Sequence, residues 1–184
     1  MSEITITTDN VLAAYNNANG EQRELLEQLF GRDIFQPKDI TQRIKTFADC
    51  VEALGKNNPL VKACCNVGKG DVTLKAFCKL RVIVAALNEG WQPEFADGEE
   101  RWYPWFSVLT KNEYNRLNER EKCRVVGRAN YSSNAYGGLA FGVAVSASAV
   151  ASTGFGSRLA FKCEKLAKYA AKQFGEVYAD FLLG

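Results

Sequence analysis

The chain has 184 residues, no histidine, and 23 Lys and Arg against 21 Asp and Glu. At 47% hydrophobic and 24% charged it has the composition of an ordinary globular protein, not a disordered or fibrous one, and its length suits one domain. Without histidine it lacks the commonest general base, the commonest metal ligand and every Ser–His or Cys–His nucleophile pair.

The first half reads as helical. Asp9 or Asn10 caps a short helix through Tyr15, with a break near Gly20. Glu21 to Phe30 follows, and Gly31 stands where a C-terminal glycine belongs. Asp39 and Gln42 form a capping-box pattern, and Ile40, Ile44, Phe47, Val51 and Leu54 recur at helical spacing up to Gly55. Asn57-Asn58-Pro59 marks a turn, a short helix follows through Cys65, and Gly68-Lys69-Gly70 breaks the chain again. Asp71 caps a long helix from Val72 to about Leu87. Its end is apolar on several faces, as a buried central helix is, and Asn88-Glu89-Gly90 closes it.

The second half changes character. After a polar, acidic loop from Gln92 to Glu100, Trp102 to Leu109 reads as a strand, with Pro104 at an edge or a bulge. Thr110 and Glu113 form a second capping pair before a charged helix, about Lys111 to Lys122, and Cys123 to Gly127 is a further strand. From Leu139 to Val145 large and small residues alternate with strand period, continuing with a bend toward Phe155, and Ser157 to Lys162 alternates again. A final helix is expected from about Cys163 to Leu182, apolar on one face and carrying Lys165, Lys168 and Lys172 on the other. The expected fold is α+β: a helical N-terminal half and a small, mainly antiparallel sheet in the C-terminal half, covered by a long C-terminal helix. It is expected to form a single domain over 1–184, with a helical part to residue 92 and a β-rich part from residue 93.

The first twenty residues hold Glu3 and Asp9 and no apolar block with basic flanks, so no signal peptide is expected. The stretch Leu139 to Thr153 is too short and too rich in Ala, Ser and Gly to span a bilayer. A cytoplasmic protein with no membrane partner follows. The cysteines (50, 64, 65, 78, 123 and 163) show no C-x-x-C spacing, and reduced, mostly buried thiols are expected.

The blocks Ile44-Lys45-Thr46-Phe47, Ala86-Leu87-Asn88-Glu89-Gly90-Trp91, Tyr103-Pro104-Trp105-Phe106, Gly156-Ser157-Arg158-Leu159-Ala160-Phe161-Lys162 and Ala170-Ala171-Lys172-Gln173-Phe174 carry a resemblance. With them the chain, from about Gly31 to Leu182, resembles a family of small proteins in phages and prophages of Bacteroidales-type bacteria. The resemblance implies a phage-related setting inside a bacterial host cell. It carries no mechanism and no catalytic residues.

Charge is divided unevenly. Residues 1–100 hold 11 Lys and Arg against 15 Asp and Glu, and residues 101–184 hold 12 against 6. Fourteen of the 21 aromatic residues also fall in the second part. A basic, aromatic-rich half points to a polyanion, since cations release counterions from phosphates and flat rings stack on unpaired bases. Arg124, Arg128, Arg158 and Lys162 lie in or beside the expected strands, and Tyr131 and Tyr136 in the adjoining loop. Single- or double-stranded nucleic acid is therefore the first partner to consider. Against this, a small-residue strand face also suits tight helix packing, and outward cations protect strand edges.

Other chemistry is weak. Gly68-Lys69-Gly70-Asp71 lacks the spacing of a phosphate loop, and Gly154-Phe155-Gly156-Ser157 reads as a turn. Asp97, Glu99 and Glu100 read as solvated loop charge, and Trp102 to Phe106 as core more than ligand patch. No cofactor, metal or catalytic residue is expected. The first expectation is a non-enzymatic accessory protein that binds nucleic acid through its basic half. The alternative is a protein-interaction or virion-assembly protein, with a homo-oligomer or a host protein as partner. A small-ligand sequestering protein would instead show a pocket with convergent polar groups.

Overall fold

The computed structural model describes residues 5–68, 70–94, 96, 98–126, 137–147 and 157–184. The chain forms two compact units, Met1–Arg43 and Ile44–Gly184.

In the first unit, helix α1 (Thr8–Asn17) is capped by Thr7, whose hydroxyl accepts the Asn10 N–H at 3.3 Å. Helix α2 (Gly20–Phe30) starts in a reciprocal capping box between Asn19 and Gln22 and ends at Gly31, whose φ of 83° a side chain would resist. Tyr15 stacks on Phe35, with ring centroids 4.1 Å apart, and donates its hydroxyl to Glu27 at 2.7 Å. That hydrogen bond, with the Arg32 guanidinium at 2.9 Å, holds the Glu27 carboxyl below its ordinary range. Helix α3 (Ile40–Arg43) closes the unit.

The expected single helix from Ile40 to Leu54 is two helices. Thr46 caps a separate helix α4 (Phe47–Leu54). Its hydroxyl accepts the Asp49 N–H at 3.2 Å, while Asp49 accepts the N–H groups of Lys45 and Thr46 at 2.8 Å each. Those backbone bonds lower the Asp49 pKa, so the cap is in place above the ordinary carboxylate pKa and is lost as pH falls through the lowered value. Asp39 caps its own turn through Thr41, not Gln42.

The second unit is built on helix α6 (Val72–Asn88), capped by Asp71, whose carboxylate accepts the Leu74 N–H at 2.7 Å. Leu80, Val82, Ile83 and Leu87 are fully buried along it. Helices α4, α5 (Pro59–Asn66) and α10 (Gly175–Leu183) pack against it. The sheet has strand order β1-β3-β2, from β1 (Arg101–Leu109), β2 (Val125–Val126) and β3 (Gly138–Ala147), and both pairings are antiparallel. The register slips between Trp105, opposite Val143, and Phe106, opposite Phe141, which leaves Gly142 as the extra residue of a bulge. Helices α7 (Lys111–Arg116) and α8 (Glu119–Lys122) lie between β1 and β2, each opened by a reciprocal capping box. Helix α9 (Glu164–Gln173) lies on β1 and β3. The fold is thus α+β, as expected from the pattern.

Two expected elements take another form. Ser157–Leu159 is a 3-10 turn, and of the expected strand only one bridge remains, in which Trp102 and Phe161 exchange N–H···O bonds of 3.0 and 2.9 Å. Alternation along β1 puts the Trp102 and Pro104 amides on the same outer side, and Pro104 has no N–H, so the pairing ends after one bridge. The expected C-terminal helix is divided at Phe174 and Gly175. Glycine is a poor helix former, and a Cβ at Gly175 would touch Val126 at 3.4 Å.

All six cysteines are free; Cys50 and Cys64 are buried, whereas Cys65 and Cys123 are exposed, contrary to the expectation of mostly buried thiols. Burial pushes the Cys50 thiol up to about 12, which keeps it inert at neutral pH. Among the described residues no helix is long and apolar enough to cross a membrane.

Candidate functional site

The residues singled out from the sequence fare differently. Arg128, Tyr131 and Tyr136 lie outside the described residues. Arg124 is exposed just after α8, its N–H bonded to the Glu121 carbonyl at 3.0 Å. Lys162 is exposed and paired with Glu89 at 3.1 Å. Arg158 is exposed in the 3-10 turn and lines a cleft of about 590 Å³. Of the described members of the set, that cleft takes in Arg158 alone. The remaining weak motifs keep to structural roles where they are described: Asp71 is a helix cap and Glu99 accepts the Glu94 N–H at 3.0 Å. Asp97, Lys69 and Gly154-Phe155-Gly156 lie outside the described residues.

The cleft is made by three segments. Helix α6 contributes Arg81, Val84, Ala85 and Asn88, one stripe of the helix at spacings of three and four. Beyond its end come Gly90, Trp91 and Gln92. The start of α5 adds Asn58, Pro59 and Leu60, and the third wall is Arg158 and Ala160. The turn that leads into Trp91 is tight. Glu89 is left-handed (φ 51°), the only non-glycine residue of positive φ among those described, and Gly90 follows at φ 87°. Such a backbone is costly without support. Here the Glu89 N–H on the Ala86 carbonyl, at 3.3 Å, and the Trp91 N–H on the Asn88 carbonyl, at 3.0 Å, supply it.

The Arg158 wall is fixed by Asn88, which is 2% exposed. Its Nδ2 donates to the Ala160 carbonyl at 2.8 Å, and its Oδ1 accepts the Lys162 N–H at 3.1 Å. On the far side Phe161 pairs with Trp102. Residues 160–162 are therefore held from both sides, with the Phe161 side chain fully buried between.

The cleft is electropositive. No Asp or Glu lines it, and among the described residues neither Arg81 nor Arg158 makes an ion pair. A cation near the end of α6 complements the helix dipole, which accounts for Arg158 and Lys162. It does not account for Arg81, two turns earlier on α6. The positive end of α5 also faces the cleft. It contributes field and few donors, since Pro59 has no N–H and that of Leu60 is given to Asn58 at 2.9 Å. A depression of similar size on α4 holds one lysine, one glutamate and no aromatic ring, and has no such character. Arg81, Trp91 and Asn58 were not legible as site residues. One signal for Arg81 was present: it is a charge set in the apolar run from Leu80 to Leu87.

No protein-family model, curated protein or solved structure matches this chain.

Proposed function

We propose that this is a non-enzymatic, phage-related accessory protein of the host cytoplasm that binds nucleic acid in single-stranded form, with the cleft of Arg81, Trp91 and Arg158 as its contact. The observation that carries the reading is that two arginines without an ion pair among the described residues line one cleft together with a half-buried tryptophan, and that no acidic residue lines it. Guanidinium forks match phosphate oxygens, an indole face accepts an unstacked base, and a duplex offers no such base. The cleft, more than the net charge of the C-terminal half, is then the functional feature, because two of its three key residues come from the first half.

Fluorescence anisotropy with short labelled DNA and RNA strands at low salt tests this. Arg81→Ala and Arg158→Ala should each weaken binding roughly tenfold and reduce the salt slope by about one. Lys162→Ala should change affinity by less than about twofold, since its charge is already committed to Glu89. No binding of any strand at low salt would sink the proposal.

A second reading, an interaction or assembly protein, is favoured by Trp105 and Val108 on β1, which are 53% and 51% exposed. Light scattering after size exclusion separates the two. A defined oligomer dispersed by Trp105→Ser supports this reading, and a monomer unchanged by the substitution counts against self-assembly.

A further inference from the structure

We infer that the ligand of the cleft is a single nucleotide carrying a terminal phosphomonoester, held as its dianion by Arg81 and Arg158 with the base on Trp91. The inference rests on the nucleic-acid reading and narrows it from a strand to one nucleotide.

Size is the first argument. About 590 Å³ is the scale of a small-molecule site, whereas a protein that tracks a strand offers a groove for several nucleotides. The distribution of charge is the second. A strand track needs cations in series, yet among the described residues that line the cleft only Arg81 and Arg158 are cationic, and Lys162 beside it is paired with Glu89 at 3.1 Å. Arg124 is not in the lining. The positive charge of the cleft thus rests on Arg81 and Arg158, neither of which makes an ion pair among the described residues, and the positive end of α5 adds to it. Two arginines lining one cleft suit a dianion better than the single charge of an internal phosphodiester.

The rest of the lining fits a nucleoside. Trp91 offers the flat surface. The Asn58 amide uses its oxygen on the Leu60 N–H and keeps its NH2 for a base edge, and the exposed Gln92 adds a second amide. Asn88 has no such freedom, because both ends of its amide are engaged with residues 160–162. The phosphomonoester has two possible sources, the end of a strand or a free nucleoside monophosphate, and the recognition chemistry is the same for both.

The test uses the full chain and two sets of probes. One set is a single-stranded oligonucleotide with a phosphate at its 5′ end, the same strand with a phosphate at its 3′ end, and the strand with hydroxyls at both ends. The other is a nucleoside 5′-monophosphate and the matching nucleoside, read by calorimetry. The expected result is a preference of about tenfold or more for a phosphorylated end, or for the monophosphate over the nucleoside. Arg158→Ala, at an exposed position where the fold is safe, should abolish the preference. Arg81→Lys should reduce it, because a point charge replaces a fork. Equal affinity for phosphorylated and hydroxyl ends, with the monophosphate and the nucleoside also equal, overturns the inference and leaves strand binding standing. Binding of the monophosphate without binding of any strand supports the inference and overturns the nucleic-acid reading. Binding of neither overturns both.

Discussion

Replacing Phe161 by alanine is expected to destabilise the Ile44–Gly184 unit by about 4 kcal/mol, the usual cost of deleting a fully buried ring. For a unit of this size that lowers the melting temperature by roughly 12 °C. Phe161 is 0% exposed, and its backbone is pinned to Trp102 on one side while its neighbours are pinned to Asn88 on the other. The surrounding wall therefore has little freedom to collapse into the space left behind, which places the substitution in the upper part of the range for cavity-forming changes. Urea denaturation measures it directly. A loss under about 1.5 kcal/mol would mean that residues 160–162 relax into the cavity and are not clamped.

Asn88→Ala is expected to cost about 3 kcal/mol, although it deletes no large apolar group. Two hydrogen bonds disappear, and the Ala160 carbonyl and the Lys162 N–H lose their partner in a site that Asn88 leaves only 2% exposed. Asn88→Asp separates the two halves of the amide. The acceptor for the Lys162 N–H is kept, but at neutral pH a carboxylate oxygen replaces the donor and faces the Ala160 carbonyl. Burial and that carbonyl both raise the pKa of the introduced carboxyl above its unfolded value of about 3.9. The native state then favours the protonated form, so the stability of this variant is greatest below the unfolded pKa and falls as pH rises through the raised one. Melts of Asn88→Asp at pH 4.5 and pH 7.5 should show the variant closer to the parent at the lower pH, and an equal deficit at both would contradict the clamp. Because Asn88 sets the path of the chain after Arg158, the same variants should weaken ligand binding without touching an arginine.

Much of the fold was legible because its signals are local. Asp71, the Thr110–Glu113 pair, Gly31 and Gly55 stop or start helices through bonds and backbone angles that involve a few adjacent residues. The alternation from Leu139 became β3, and Pro104 lies in an outer strand beside a bulge. The misjudged elements are those where periodicity pointed one way and another interaction won. The stripe from Ile40 to Leu54 keeps helical spacing straight through Thr46, yet the reciprocal Thr46–Asp49 box starts a new helix there. Tyr169 and Gln173 of α9 meanwhile donate to the Ile44 and Lys45 carbonyls, which a continuous helix would have consumed. Ser157 to Lys162 has strand alternation, but strand pairing needs donors from the neighbour, and Pro104 withholds one.

The candidate site divides in the same way. Arg158 could be picked out as an exposed cation in a basic, aromatic-rich half, because charge and composition are properties of the chain. Lys162 has the same composition around it and is neutralised by Glu89, 73 positions away in the sequence. Arg81 and Trp91 sit in and just beyond the central helix, where an apolar run argues for core and the one local signal is the charge of Arg81 set in that run. Helix limits, strand period, capping and the imbalance of charge follow from interactions between near neighbours, and those are written in the order of residues. Which cations stay free, and which indole shares their cleft, depends on contacts between segments 59 and 72 residues apart, closed here by one backbone bridge and one buried asparagine amide. Such contacts form only when the apolar stripes of α6 and the sheet have packed, because the free energy that brings them together is that of burying those stripes, not of the polar site they carry.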